Sequence, residues 1–435
     1  MIFKKLSLAA CVTALLTGCV SVDVTRDHVD EPDIPPAIAA MHDKLLTLDT
    51  HLDTPALLIR DGWNIDDEHS VAKDGSDVDL PRMKKGGLDG GFWVIYTRQG
   101  PLTDDGYSKA YAHAQRTLAA IKRMTAADPK NFALATKSTD AARIAAQGKR
   151  VVYLSIENAT PLGNTEQVLK ARMREFYADG VRMIGPVHFK NNDLADSATD
   201  TPRWKGFSPL GKAFVAEANR LGMILDASHA SDDVFDQMLE LSKAPIILSH
   251  SGTKALFDHP RNLDDSRLRR LAATGGVIQI NSLSAYLVET PKIAGREEAL
   301  KAMYAKYNLE NLTAAQGEQL TKDRAAIDKK YPVPIASFED FMAQVLHAIR
   351  VAGVDSVGIG ADWDGGGGVT GMEDVSLVWR ITERLYKEGY NEPDLEKIWG
   401  GNVLRVLKAV EDARDKEAGR AAAANSEAAE PNRAD

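Results

Sequence analysis

The chain has 435 residues, 44% hydrophobic and 26% charged, a balance typical of soluble globular proteins that excludes a wholly disordered chain, a collagen or a polytopic membrane protein. Its 53 basic and 62 acidic residues give a net charge of -9, a surface that repels phosphates and argues against a general nucleic-acid binder. The two cysteines, Cys11 and Cys19, both lie near the start, so the rest of the chain can form no internal disulfide and no cysteine metal site. Any metal chemistry falls to His, Asp and Glu. By length the chain suits about three ordinary domains, or one (β/α)8 barrel of the kind that runs from about 200 to over 400 residues.

Residues 1–19 begin with Lys4 and Lys5 and continue into an apolar run too short to cross a hydrocarbon layer of about 30 Å. The run ends in Leu16-Thr17-Gly18-Cys19, which resembles the lipobox of bacterial lipoproteins, where the signal is cut before a cysteine that is then lipidated. The resemblance implies a signal peptide over 1–18 and a lipid anchor on Cys19. Ser21, rather than Asp, stands second after that cysteine, which implies the outer membrane and a periplasm-facing protein. Residues 19–40 are polar, with Pro32, Pro35 and Pro36, and read as a linker between lipid and domain.

Over 41–410, short β-type runs alternate with longer helical stretches. The runs are 45–53, 91–96, 151–157, 181–188, 223–229, 245–250, 276–282 and 357–362, with helix patterns such as 209–221 and 232–241 between them. Alternating βα units imply a parallel sheet. Eight of them imply a closed α/β (β/α)8 barrel of the TIM type, with a doubly wound open sheet as the alternative. The interval between Ser282 and Ser356 exceeds one helix, and the charged segment 289–330 reads as a helical insertion before the last strand. Residues 411–435 are charged and alanine-rich, with little apolar content, and read as a disordered tail or frayed helix.

Four of the ten histidines, His51, His188, His229 and His250, close an apolar run or fall just inside its end. The carboxyl ends of barrel strands form the active-site face. In Asp49-Thr50-His51-Leu52-Asp53, residues two apart on a strand point the same way, so His51 and Asp53 project together. Glu157 ends the third run, where a carboxylate without a partner would be costly to bury. His229 and His250 end two further runs. Three imidazoles and two carboxylates exceed the three protein ligands of a single catalytic zinc and suit two metals sharing Glu157, with a hydroxide between them. In the last run, Asp362 and Asp364 also share a side by the two-residue rule, and a carboxylate facing the metals there can shuttle a proton. The run 365–368 lacks the Lys-Ser/Thr of a phosphate loop and reads as a flexible or tightly turning loop beside the site. His28, His42, His69, His113 and His347 read as surface or packing residues.

This order of residues, ending in Gly358-Ile359-Gly360-Ala361-Asp362-Trp363-Asp364-Gly365, resembles the renal or membrane dipeptidase family, zinc peptidases of the amidohydrolase-type barrel. Further agreement comes from Asp79-Leu80-Pro81-Arg82, from Asp226-Ala227-Ser228-His229, from Ser249-His250-Ser251-Gly252 and from Asp258-His259-Pro260-Arg261-Asn262. The resemblance implies hydrolysis of dipeptides, including those with a C-terminal D-residue, by two zinc ions. It assigns His51 and Asp53 to one ion, His229 and His250 to the other, and Glu157 to both. His188 would contact the scissile carbonyl, Arg261 would grip the substrate carboxylate, and Asp362 would transfer the proton. A homodimer is a family expectation. The loops 61–77 and 191–207, with Trp63 and Trp204, are expected to shape the pocket. The chain departs from mammalian members in lacking their cysteines and C-terminal glycolipid. It also carries Gly90-Gly91-Phe92-Trp93 where the second strand commonly has a polar residue, which leaves side-chain specificity open. Another hydrolase on the same barrel, acting on N-acyl-amino acids or lactones, is the first alternative, and an inactive binding lipoprotein the second.

Overall fold

The computed structural model describes residues 34–429, with side chains as far as residue 416. The expected signal peptide 1–18, Cys19 and most of the 19–40 linker lie outside the described residues. Eight parallel strands follow the eight apolar runs: β1 (Leu48–Leu52), β2 (Gly90–Tyr96), β3 (Arg150–Glu157), β4 (Val181–Ile184), β5 (Ile224–Leu225), β6 (Ile247–Thr253), β7 (Val277–Ile280) and β8 (Val357–Ile359). Ladders join β1 through β5 in one curled sheet and β6 through β8 in another. Single parallel bridges close the ring at two seams, Asp226 to Ile247 between β5 and β6, and Leu52 to Trp363 between β1 and the end of β8. The fold is a (β/α)8 barrel, as the alternation of runs implies.

Each strand is buried on both faces, as parallel strands covered by helices must be. Leu48, Phe92, Tyr153, Met183, Ile224, Ile247 and Val277 form one cluster. Side chains from seven strands of a closed ring can meet only in its lumen. Val403, Val406 and Leu407 join them from the last helix, Asn402–Ala429, and plug the end of the lumen away from the strand ends. Their neighbours on the strands, including Trp93, Leu154, Ile184, Leu225 and Ile278, face outward into the larger core under the helices. The helices Pro209–Leu221 and Asp232–Leu241 occupy the expected ranges, each started by a serine whose side chain accepts a backbone N–H, Ser208 and Ser231.

The boundary expected at 410 falls inside the last helix. Glu411 accepts from the Ser138 backbone N–H at 2.8 Å, and Arg414 donates to the Tyr177 hydroxyl at 2.5 Å. The start of the expected tail is thus tied to the barrel, because the apolar stripe of this helix runs on to Val410. At the other end, the helix Pro36–His42 begins in the expected linker, crosses the boundary at 40 and buries Ile38 and His42. The insertion before β8 contains the helices Ala294–Tyr304 and Ala314–Lys330 around a small core of Leu300, Met303, Tyr304, Leu312 and Leu320. It docks on the rim through the Ala314 N–H, which donates to the Asp61 carbonyl at 2.8 Å. Among the described residues no helix is long and apolar enough to cross a membrane.

Alternation alone does not aim the site residues. Leu48 lies in the lumen cluster and Leu52 in the outer one, although they are four residues apart. A register irregularity between Asp49 and Leu52 shifts the phase, and a second one between Leu248 and Ser251 does so on β6. Such bulges re-aim side chains at barrel rims. Gly360, just past β8, sits where a Cβ would collide with the Ser249 carbonyl and the Thr50 hydroxyl. Backbone cannot retreat as a flexible side chain can. Gly360→Ala is therefore expected to cost about 3 kcal/mol, at the upper end of ordinary overpacking, read as a lowered urea midpoint with an unchanged slope.

Candidate metal centre

The strand ends bring His51, Asp53, Glu157, His229 and His250 into one basin, together with His188 and Asp362. Glu157 is its centre. Its carboxylate lies 2.8 Å from His229 Nε2, 3.5 Å from His250 Nε2, 3.7 Å from His51 Nε2 and 4.0 Å from His188 Nε2. His51 Nε2 is 3.5 Å from Asp53 and 4.0 Å from Asp362. The five expected ligands are each 5% exposed or less.

Burial, reinforced by the nearby Arg261, holds His229 and His250 well below the usual imidazole range and His188 at about 3. These are neutral rings. Burial also opposes a charge on His51, yet the Asp53 and Glu157 carboxylates keep it well above that range. Burial pushes the Asp362 carboxyl up to about 8; Asp53 and Glu157 add to the rise, while His51 and a 3.1 Å hydrogen bond from Asn281 oppose it.

The donor set fits divalent cations. His51 Nε2, Asp53 Oδ1 and Glu157 Oε1 are buried without a hydrogen-bond partner, and orphaned polar atoms of this kind are rare in folded proteins. Three triads of ligand atoms lie within metal-binding reach: His51, Glu157 and His250; Glu157, His188 and His229; His51, Asp53 and Asp362. A Cβ at Gly365 would collide with the Asp53 and Asp362 carboxylates, so the cradle needs glycine there.

The alternation that put Asp362 and Asp364 on one side fails. Both have positive φ, 68° and 63°, past the end of β8, so the two-residue rule no longer applies. Asp362 turns to His51. Asp364 turns away, accepting from the Thr54 hydroxyl and the Asp77 N–H, each at 2.6 Å. Asn158 and His229 also have positive φ, so four of the five non-glycine examples among the described residues are at or beside the strand ends of this site. Backbone strain of this kind persists where surrounding structure holds it, often at functional sites. The glycine run turns tightly, with the N–H groups of Gly365 and Gly367 both donating to the Asp362 carbonyl.

Arg261 is 4% exposed. Its guanidinium donates to the His250 carbonyl at 3.0 Å and lies over the Tyr286 ring, while its Nε has no hydrogen-bond partner. The His259 ring accepts from the Arg261 backbone N–H at 3.2 Å and so holds the turn. The cavity over the cluster is also lined by Phe189, Leu283 and Tyr286, which the sequence reading missed. Trp63 and Trp204 do not line it. Trp63 stacks on His69, and Trp204 donates to the Asn192 carbonyl. Asn281, one residue inside the end of the seventh run, carried a usable signal. Tyr286 carried none, since it lies in a short 3₁₀ turn, Ser284–Tyr286.

Known proteins place this geometry. The family described as membrane dipeptidase (peptidase family M19) matches residues 37–421. The chain belongs to this family. Dipeptidase tcpJ of Claviceps purpurea is 31% identical over 358 residues, covering 80% of this chain and 73% of that protein. Among solved structures, the probable dipeptidase PvdM from Pseudomonas aeruginosa superposes with a TM-score of 0.73 at 28% identity, covering 87% of this chain and 98% of that one. A Rhodobacter sphaeroides metallopeptidase liganded with a phosphinate mimic of L-Ala-D-Ala shares the fold, with a TM-score of 0.65 at 23% identity and coverage of 84% and 99%. Membership makes this membrane dipeptidase relative a dipeptidase-type metallopeptidase, and its basin of His and Glu residues supplies the candidate metal ligands.

Gly365→Ala should therefore leave the barrel folded and push Asp53 and Asp362 out of the cradle. Chelator competition is expected to show metal bound at least about tenfold more weakly, at an unchanged circular-dichroism spectrum.

Proposed function

We propose that this dipeptidase works with two zinc ions, one held by His51 and Asp53, the other by His229 and His250, with Glu157 shared. The observation that carries the proposal is the burial of one carboxylate among three imidazoles, with His51 Nε2, Asp53 Oδ1 and Glu157 Oε1 left without hydrogen bonds. When bound, such ions supply Lewis-acid polarisation of a carbonyl and a water acidic enough to ionise near neutrality.

The chain's own residues do the rest. Neutral His188, beside Glu157 and edge-on to Tyr96, donates a hydrogen bond to the oxygen of the scissile carbonyl as negative charge develops there. Asp362 has one oxygen held by Asn281 and the other facing His51. In its ionised form it takes a proton from the attacking water and passes it to the departing amine. Arg261, anchored to the backbone of β6, binds the substrate carboxylate, for which a planar guanidinium is suited. Acceptance of a D-residue at the C-terminal position rests on the family resemblance of the motifs. The lipobox-like Leu16-Thr17-Gly18-Cys19 supports a lipid anchor on Cys19 and a place at the periplasmic side of the outer membrane.

A panel of L,L- and L,D-dipeptides, run with metal analysis of the same sample, tests the proposal. Hydrolysis with two zinc ions per chain is expected; zinc-loaded protein inert on every dipeptide would sink it. Arg261→Ala should raise KM for free dipeptides and leave C-terminally amidated ones, already poor substrates, unchanged. Asp362→Asn should keep its zinc and lose about 10²- to 10⁴-fold in kcat, the usual contribution of a positioned acid–base group.

A further inference from the structure

Behind the metal basin, one hydroxyl touches ligands assigned to both ions. Ser249 lies on β6, fully buried, beside the register irregularity that turns His250 inward. Its Oγ donates to Asp226 Oδ2 at 2.5 Å. The other oxygen of Asp226 accepts the backbone N–H groups of Ser228 and Ser249, each at 2.9 Å. The same Ser249 Oγ lies 2.9 Å from His250 Nδ1 and 3.4 Å from His51 Nδ1. The two rings sit side by side, their centroids 3.7 Å apart.

A hydroxyl has one proton and two lone pairs. The Ser249 proton is committed to Asp226, whose remaining contacts are all from donors. Toward the imidazoles the oxygen can therefore only accept. Both rings must then carry a proton on Nδ1, which leaves Nε2 as the atom that each turns toward the Glu157 side of the basin.

We infer that Asp226 and Ser249 form a shared positioning relay that sets the tautomer and aim of one ligand from each metal site, and so ties the affinity of one ion to that of the other. The inference rests on the two-zinc reading above and names residues to which no role has been given. Partners behind metal-bound histidines typically change affinity by about 10- to 100-fold when removed. Here one such partner serves two ions.

The test is zinc affinity of the purified full chain by chelator competition, with the melting temperature of the zinc-free protein measured alongside. Ser249→Ala is expected to release both ions at about 10- to 100-fold lower chelator concentration, with the zinc-free melting temperature close to wild type. Ser249→Thr, which keeps the hydroxyl, should restore both. Asp226→Asn keeps the serine but removes the carboxylate that commits its proton, and should weaken both ions as well. Loss of one ion alone in Ser249→Ala, wild-type affinity in Ser249→Ala or Asp226→Asn, or a zinc-free melting temperature that falls in step with affinity would each overturn the relay. A wild-type chain that binds fewer than two zinc ions sinks the two-ion reading instead. The relay then stands or falls on whether Ser249→Ala weakens the ion that remains.

Discussion

A carboxylate buried at the mouth of the barrel governs this structure. Glu157 ends a strand that is buried along nearly its whole length, and its oxygens face imidazoles from β1, β6 and the segments after β4 and β5. Removing such a charge from water costs several kcal/mol unless opposite charge meets it. Three of the four facing rings are held neutral by burial and by Arg261, so they supply lone pairs where positive charge is wanted. Cations resolve both deficits. The metallopeptidase character of the family and the electrostatics of the basin thus have one cause.

The same constraint explains how the ring is closed. At its two seams the ladders reduce to single bridges, and a buried aspartate stands at each. Asp49 accepts from the His51 N–H and, across the seam, from the Ala361 N–H. Asp226 accepts from the Ser228 N–H and, across the other seam, from the Ser249 N–H. Each carboxylate bonds the residue two places ahead in its own segment and a residue across the seam. Closure and ligand placement are therefore made by the same groups, and the site is built where the sheet is least regular.

Much of this was legible in the residues. The eight apolar runs became the eight strands because burial on both faces leaves parallel strands uniformly hydrophobic. Histidines and a glutamate at the ends of such runs had no apolar reason to be there, and they converge. The two-residue rule failed at Asp362 and Asp364 because it holds only inside a strand, and both residues take left-handed backbone after the strand has ended. The inward aim of His51 and His250 was also beyond the rule, since it depends on register irregularities in the pairing with neighbouring strands. Tyr286 and Leu283 line the cavity from a turn with no pattern to announce it.

The sequence by itself determined the alternation of strand and helix, the chemical kinds of ligand and the order in which they occur along the chain. These follow from local hydrophobicity and side-chain chemistry. Only the tertiary structure decided which aspartate faces the cluster, how a phase shift turns His51 into the lumen mouth, and that Ser249 stands behind two imidazoles at once. Those outcomes depend on contacts between residues up to about three hundred positions apart, such as the Asp364 carboxylate accepting from the Thr54 hydroxyl. A chain read one neighbour at a time carries no measure of such distances; ring closure sets them.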